Sequence, residues 1–127
     1  MLLLDTHLIL WAAFEPARLS PKARRQLQSR ESPLAFSHAS LWEVAIKTSL
    51  GRPGFSVDSR LLHQALVAEG FIELPVAPAH TARVAGLPWV HRDPFDRMLV
   101  AQAMEEVLTL LTADATLKGY GRFVKVV

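Results

Sequence analysis

No cysteine occurs among the 127 residues of this chain. Disulfide bonds, thiolate-bound zinc and cysteine nucleophiles are therefore excluded together, and the lack fits a reducing compartment. Long hydrophobic runs are missing as well: nothing approaches the roughly 20 apolar residues that cross a bilayer. The apolar start Met1-Leu2-Leu3-Leu4 stops at Asp5 without a basic lead-in, unlike a secretory leader. A cytoplasmic protein with no membrane partner is expected. The five histidines show no H-E-x-x-H spacing and no serine sits in a G-x-S-x-G elbow, so each histidine is expected at the surface or satisfied in the core. Charge of one sign is not in excess either, with fourteen basic and twelve acidic residues. The early cluster Arg18, Lys22, Arg24, Arg25 and Arg30 reads as a solvated helix face rather than a phosphate track.

What is present is ample core material, since half the residues are hydrophobic. That share, the chain length and the lack of repeats, linkers or low-complexity tracts predict a single domain over 1–127. Leu2-Leu3-Leu4 reads as a strand buried on both faces, and the spacing of Leu8, Ile9, Ala12 and Ala13 predicts a helix over 6–14. Ser20-Pro21 pairs a cap with proline at the first helical position, opening a helix to about Arg30. Further strands are predicted at 33–37, 71–74, 109–112 and 123–126, and helices at 40–50, from Ser56 or Asp58 to Gly70, at 79–85 and from Asp93-Pro94 to about Glu106. Strands alternating with helices imply crossover connections, hence an α/β fold with a mainly parallel five-stranded sheet covered on both faces.

In such sheets ligands gather beyond the carboxyl ends of the strands. Asp5 ends the first strand, Glu43 lies in the first turn after the second, Asp114 follows the fourth by two residues, and Asp96 lies in the first turn of its helix. Glu43 heads a stripe with Ile46 and Leu50, and Asp96 one with Val100, Ala103 and Val107, where an unpaired carboxylate is expensive. Four clustered carboxylates repel, and protonation or a bound cation relieves them. An all-oxygen set favours Mg2+ or Mn2+ over zinc. Each acid also has a structural reading. Ser40-x-x-Glu43 is a capping box with Lys47 four residues on, Asp93-Pro94 is a cap with Asp96 favouring the helix dipole, and Asp114 suits a turn before Leu117. Only Asp5 has no routine structural role. The coincidence of all four at one edge points to a metal site.

The segments Leu3-Leu4-Asp5-Thr6-His7, Ser40-Leu41-Trp42-Glu43-Val44, Asp93-Pro94-Phe95-Asp96-Arg97-Met98-Leu99-Val100-Ala101-Gln102-Ala103 and Leu111-Thr112-Ala113-Asp114 resemble the PIN domain. They are most similar to the VapC-type toxin nucleases of bacterial toxin–antitoxin pairs. The resemblance covers nearly the whole chain and implies a three-layer α/β/α sandwich. It also implies an Mg2+- or Mn2+-dependent endoribonuclease leaving a 5′-phosphate, with Asp5, Glu43, Asp96 and Asp114 as catalytic and metal-holding residues. Thr6 and Thr112 become supporting hydroxyls, Asp93 a cap that orients Asp96 or a water, and Arg97 a residue that steers phosphate or anchors a carboxylate. Homodimerisation, and an antitoxin whose tail blocks the site, are implied too.

Hydrolysis of an RNA phosphodiester through one or two divalent ions follows from that assignment, with Arg92, Arg97 and Lys118 available to hold the strand. Trp42, Trp89 and Phe55 are expected in the core or a subunit contact rather than stacked on bases. A helix as apolar as that bearing Trp42, Ile46 and Leu50 is expected to be partly covered by a partner. Two rivals are a noncatalytic module of the same fold, which a broken acidic quartet would favour, and a phospho-accepting receiver-like domain. The latter wants paired acids early and an aspartate ending the third strand, where Leu74-Pro75 stands.

Overall fold

The computed structural model describes residues 1–127. Strands β1 (Leu2–Leu4), β2 (Leu34–Ser37), β3 (Ile72–Leu74), β4 (Thr109–Thr112) and β5 (Val124–Val126) form one sheet in the order β3-β2-β1-β4-β5. All four pairings are parallel, so every connection is a crossover; a 3-10 turn over Ala115–Tyr120 makes the one from β4 to β5, and α-helices make the others. They are α1 (Thr6–Phe14), α2 (Pro21–Ser29), α3 (His38–Ser49), α4 (Ser59–Ala68), α5 (Pro78–Ala85) and α6 (Pro94–Glu105). This strand order overturns the receiver-like alternative, which requires β1 between β2 and β3.

The two-residue period of the strands builds the layers. Leu4, Leu34, Phe36 and Leu111 point into one core with Leu8 and Ile9 of α1, Ala23 of α2, Val44 of α3 and Leu62 and Leu66 of α4. Leu3, Ala35, Leu110 and Val124 point into the other, against Leu99, Val100, Ala101 and Ala103 of α6. Phe36 is fully buried; truncating it to alanine costs about 3–5 kcal/mol.

Local signals set the helix starts. Ser20 Oγ accepts from Ala23 N at 3.0 Å, with Pro21 in the first turn of α2. Asp58, rather than Ser56, caps α4 by accepting from Arg60 N. Helix α3 departs from expectation. It begins at His38 with Ser37 as its cap, and Ser40 lies buried inside it, accepting from Thr6 Oγ1 at 2.9 Å. The Ser40–Glu43 capping box is therefore not formed; the Thr6–Ser40 bond ties α1 to α3 instead.

Both apolar stripes are interrupted. Leu50 is exposed beyond the end of α3, and Val107 is 90 % exposed beyond α6. Trp42 and Trp89 are exposed as well, contrary to a core placement; Trp42 meets Phe95 edge to face at 5.3 Å. No helix is long and apolar enough to cross a membrane.

Candidate metal centre

The order of crossovers reverses between β1 and β4, and a crevice opens at the carboxyl ends of such a strand pair. Asp5 follows β1 there and Asp114 follows β4. Asp5 is buried and, against expectation, also has a structural role. Its Oδ1 caps α1 by accepting from Leu8 N at 2.9 Å. Its Oδ2 accepts from Thr112 Oγ1 at 2.5 Å and from Ala113 N at 3.2 Å. Thr112 Oγ1 in turn accepts from Asp114 N at 2.9 Å. One buried hydroxyl thus fixes Asp5 against the backbone that presents Asp114. Burial pushes the Asp5 carboxyl up, against the opposing pull of its Thr112 bond.

Glu43 comes from the first half of α3 with its residue 3 % exposed. Oε2 accepts from Lys47 Nζ one helical turn on, while Oε1 is buried with no hydrogen-bond partner. An orphaned carboxylate oxygen in the interior is costly and asks for a cation or a proton donor. Asp96 stands in the first turn of α6, whose cap is Asp93: Asp93 Oδ1 accepts from Phe95 N at 2.8 Å and Asp96 N at 3.0 Å. Burial first, then the charges of Asp93, Glu43 and Asp5, push the Asp96 carboxyl up to about 7. Three acids therefore act on a fourth, two of them from distant parts of the chain.

Asp114 caps the short 3-10 turn Ala115–Tyr120, with Oδ1 accepting from Thr116 N and Oγ1. Its Oδ2 accepts from His91 Nε2 at 3.1 Å, and His91 Nε2 lies 3.7 Å from Asp96 Oδ2. The Thr116 hydroxyl foremost, helped by His91, holds the Asp114 carboxyl below the usual range. The donor atoms of His91, Asp96 and Asp114 all lie within 4.8 Å of one another, a metal-sized grouping; Asp5 and Glu43 are not part of it, but their charges reach Asp96.

His91 is the residue that sequence reasoning missed, having placed every histidine at the surface or in the core. Its position two residues before the Asp93 cap was the only signal in the sequence. His80 does follow the expectation: it is buried and satisfied, its Nδ1 accepting from Ala77 N at 2.9 Å.

Arg97 departs from its expected role too. It steers no phosphate and anchors no carboxylate, because it is 4 % exposed and its guanidinium is spent on the chain. It donates to the carbonyls of Val84, Leu87, Pro88 and His91 and to the Tyr120 hydroxyl, with the ring of Trp89 at 3.9 Å. Arg97 is the anchor of the loop 86–93.

An all-parallel α/β sheet with acids converging where β1 and β4 end defines a class of protein, and the PIN domain matches residues 2–122. The chain belongs to the PIN domain family. It is 30% identical to Ribonuclease VapC22 of Mycobacterium tuberculosis over 119 residues, covering 93% of this chain and 90% of that protein. VapBC2 from Rickettsia felis, solved bound to a DNA fragment from the promoter, shares the fold with a TM-score of 0.70 at 14% identity, over 99% of this chain and 96% of that one. A toxin–antitoxin complex from Klebsiella pneumoniae gives 0.67 at 16% identity, over 99% and 97%. FitAcB of Neisseria gonorrhoeae gives 0.59 at 25% identity, over 91% and 89%.

Proposed function

We propose that the chain is a divalent-cation-dependent endoribonuclease and the toxin of a toxin–antitoxin pair. The observation that carries the cation is Glu43 Oε1, buried and unpartnered, together with an Asp96 carboxyl pushed up by burial first and then by the charges of three acids, Glu43 among them. So much negative charge on buried and half-buried groups is relieved by a dication, and oxygen donors suit Mg2+ or Mn2+. Asp5, Glu43, Asp96 and Asp114 would hold it. When bound, such an ion polarises phosphate oxygens and activates water for phosphodiester hydrolysis.

The chain's own residues do the rest. Thr112 fixes Asp5 relative to Asp114, and Asp93 aims Asp96 by bonding its backbone N–H. Thr6, bonded to Ser40, keeps the start of α1 against the helix that carries Glu43. Arg92 and Lys118, both exposed, are free to meet the phosphates of a single strand, with the salt sensitivity such contacts bring. Ribonuclease activity is supported by the name of the mycobacterial relative, and an antitoxin partner by the Klebsiella complex. A homodimer is part of the reading, and monomeric sedimentation at micromolar concentration would count against it. So is a single cytoplasmic domain over the whole chain.

The test is cleavage of structured RNAs with Mg2+ or Mn2+, comparing wild type with Asp5→Asn and Asp96→Asn. Cation-dependent cleavage lost in both variants is expected. Full activity in both, or indifference to a chelator, overturns the assignment, and a wild type inert toward every RNA and cation favours the noncatalytic reading of the fold.

A further inference from the structure

His91 belongs to no acidic quartet, yet its ring sits among the carboxylates. Its two nitrogens have different partners. Nδ1 accepts the backbone N–H of Asp93 at 3.0 Å, while Nε2 faces Asp114 Oδ2 at 3.1 Å and Asp96 Oδ2 at 3.7 Å. A nitrogen that accepts an N–H carries no proton, so in a neutral imidazole the proton is on Nε2. A histidine that ligates a metal shows the opposite pattern, giving its second N–H away and turning a lone pair to the ion. Here the nitrogen turned toward the carboxylates is a donor.

We propose that His91 is a positioning residue of the cation site: the Asp93 backbone locks it in the Nε2–H form, and that N–H holds Asp114 beside Asp96 without itself ligating the ion. This rests on the cation reading above. The lock is built into the fold. The loop 86–93 that carries His91 is gathered by Arg97, whose guanidinium takes the carbonyls at both of its ends and the Tyr120 hydroxyl. Tyr120 Oη in turn accepts from His91 N at 3.1 Å. Gly119 lets the same loop close onto the 3-10 turn, since a Cβ there would stand 2.8 Å from Val90 Cγ1. Arg97 thus reaches the site at second hand, by setting the residue that sets Asp114. Asp93 serves twice, its side chain aiming the Asp96 backbone and its backbone N–H aiming His91.

The test uses the whole chain with Mn2+ as probe. Electron spin-echo modulation of bound Mn2+ is expected to show no directly coordinated nitrogen, and 15N NMR of the metal-free protein to show that the neutral His91 ring carries its proton on Nε2. By calorimetry, His91→Ala is expected to weaken Mn2+ binding about 10–100-fold, as loss of such an outer partner does. His91→Gln, whose carboxamide N–H reaches a similar point, is expected to recover most of that loss. A coordinated nitrogen in the wild type, a neutral ring with its proton on Nδ1, or a glutamine variant no better than alanine overturns the proposal while leaving the cation reading intact. A wild type that binds no Mn2+ overturns both. Should the alanine variant fail to fold, the two spectroscopic results on the wild type decide.

Discussion

Thr112 Oγ1 donates to Asp5 Oδ2 at 2.5 Å across 107 positions of sequence, joining the ends of two adjacent parallel strands through one buried hydroxyl. Thr112→Val removes the donor at nearly constant volume and leaves a buried carboxylate oxygen with only the weaker Ala113 N–H. The expected loss of stability is about 1–3 kcal/mol, read from urea unfolding. Thr112→Ser keeps the hydroxyl and is expected to retain most of it. If valine and serine behave alike, the bond does not hold the site together.

Lys47 is the one partner of Glu43. Lys47→Ala leaves that buried carboxylate with neither oxygen bonded, and a broken charge pair in the interior is expected to cost about 3 kcal/mol in the metal-free protein. Saturating Mn2+ is expected to return part of it, because a ligand that binds only the folded state stabilises it by mass action. Thermal denaturation of wild type and variant, with and without Mn2+, reads both effects. An equal deficit with and without the ion would separate Glu43 from the cation.

In the metal-free protein the folded chain keeps a proton on Asp96 up to about pH 7, where the unfolded chain has released it near 3.8. The native state binds more protons throughout that window, so this group makes stability fall as pH rises from about 4 to about 7. Asp5, also raised, acts in the same sense. The melting temperature without metal is expected to decline across the window and the decline to flatten in Asp96→Asn. A slope unchanged by the substitution would remove Asp96 as its source.

Cation binding near neutral pH must then displace a proton from the site. Calorimetric titration with Mn2+ at about pH 6.5 in buffers of different ionisation enthalpy is expected to show release from the wild type and markedly less from Asp96→Asn. Identical apparent enthalpies in all buffers would contradict the raised Asp96.

Val107 follows α6 in the left-handed region, at φ 55°, with Leu108 N bonded to Ala103 O at 2.8 Å. This is the position where helices end on glycine. A β-branched residue is strained there, and Val107 is 90 % exposed, so its side chain returns little. Val107→Gly is expected to stabilise the protein by about 0.5–1 kcal/mol, with the Mn2+ affinity unchanged. A destabilised variant would show that the extra freedom glycine gives the unfolded chain outweighs the strain it removes.

The amino-acid pattern by itself determined the strands, the helices and the edge of the sheet at which Asp5, Glu43, Asp96 and Asp114 stand. Alternation, helical spacing and caps such as Ser20-Pro21 and Asp93-Pro94 act over a few residues and are therefore visible in a row of letters. Tertiary structure alone decided that Arg97 is buried under a loop, that Ser40 bonds Thr6 rather than capping its helix, and that His91 stands against Asp114. Those outcomes depend on contacts between residues 23 to 34 positions apart, or on which carbonyls of a loop face one guanidinium. They come into being when β1 and β4 pair and α6 packs beneath them, and no local preference encodes them.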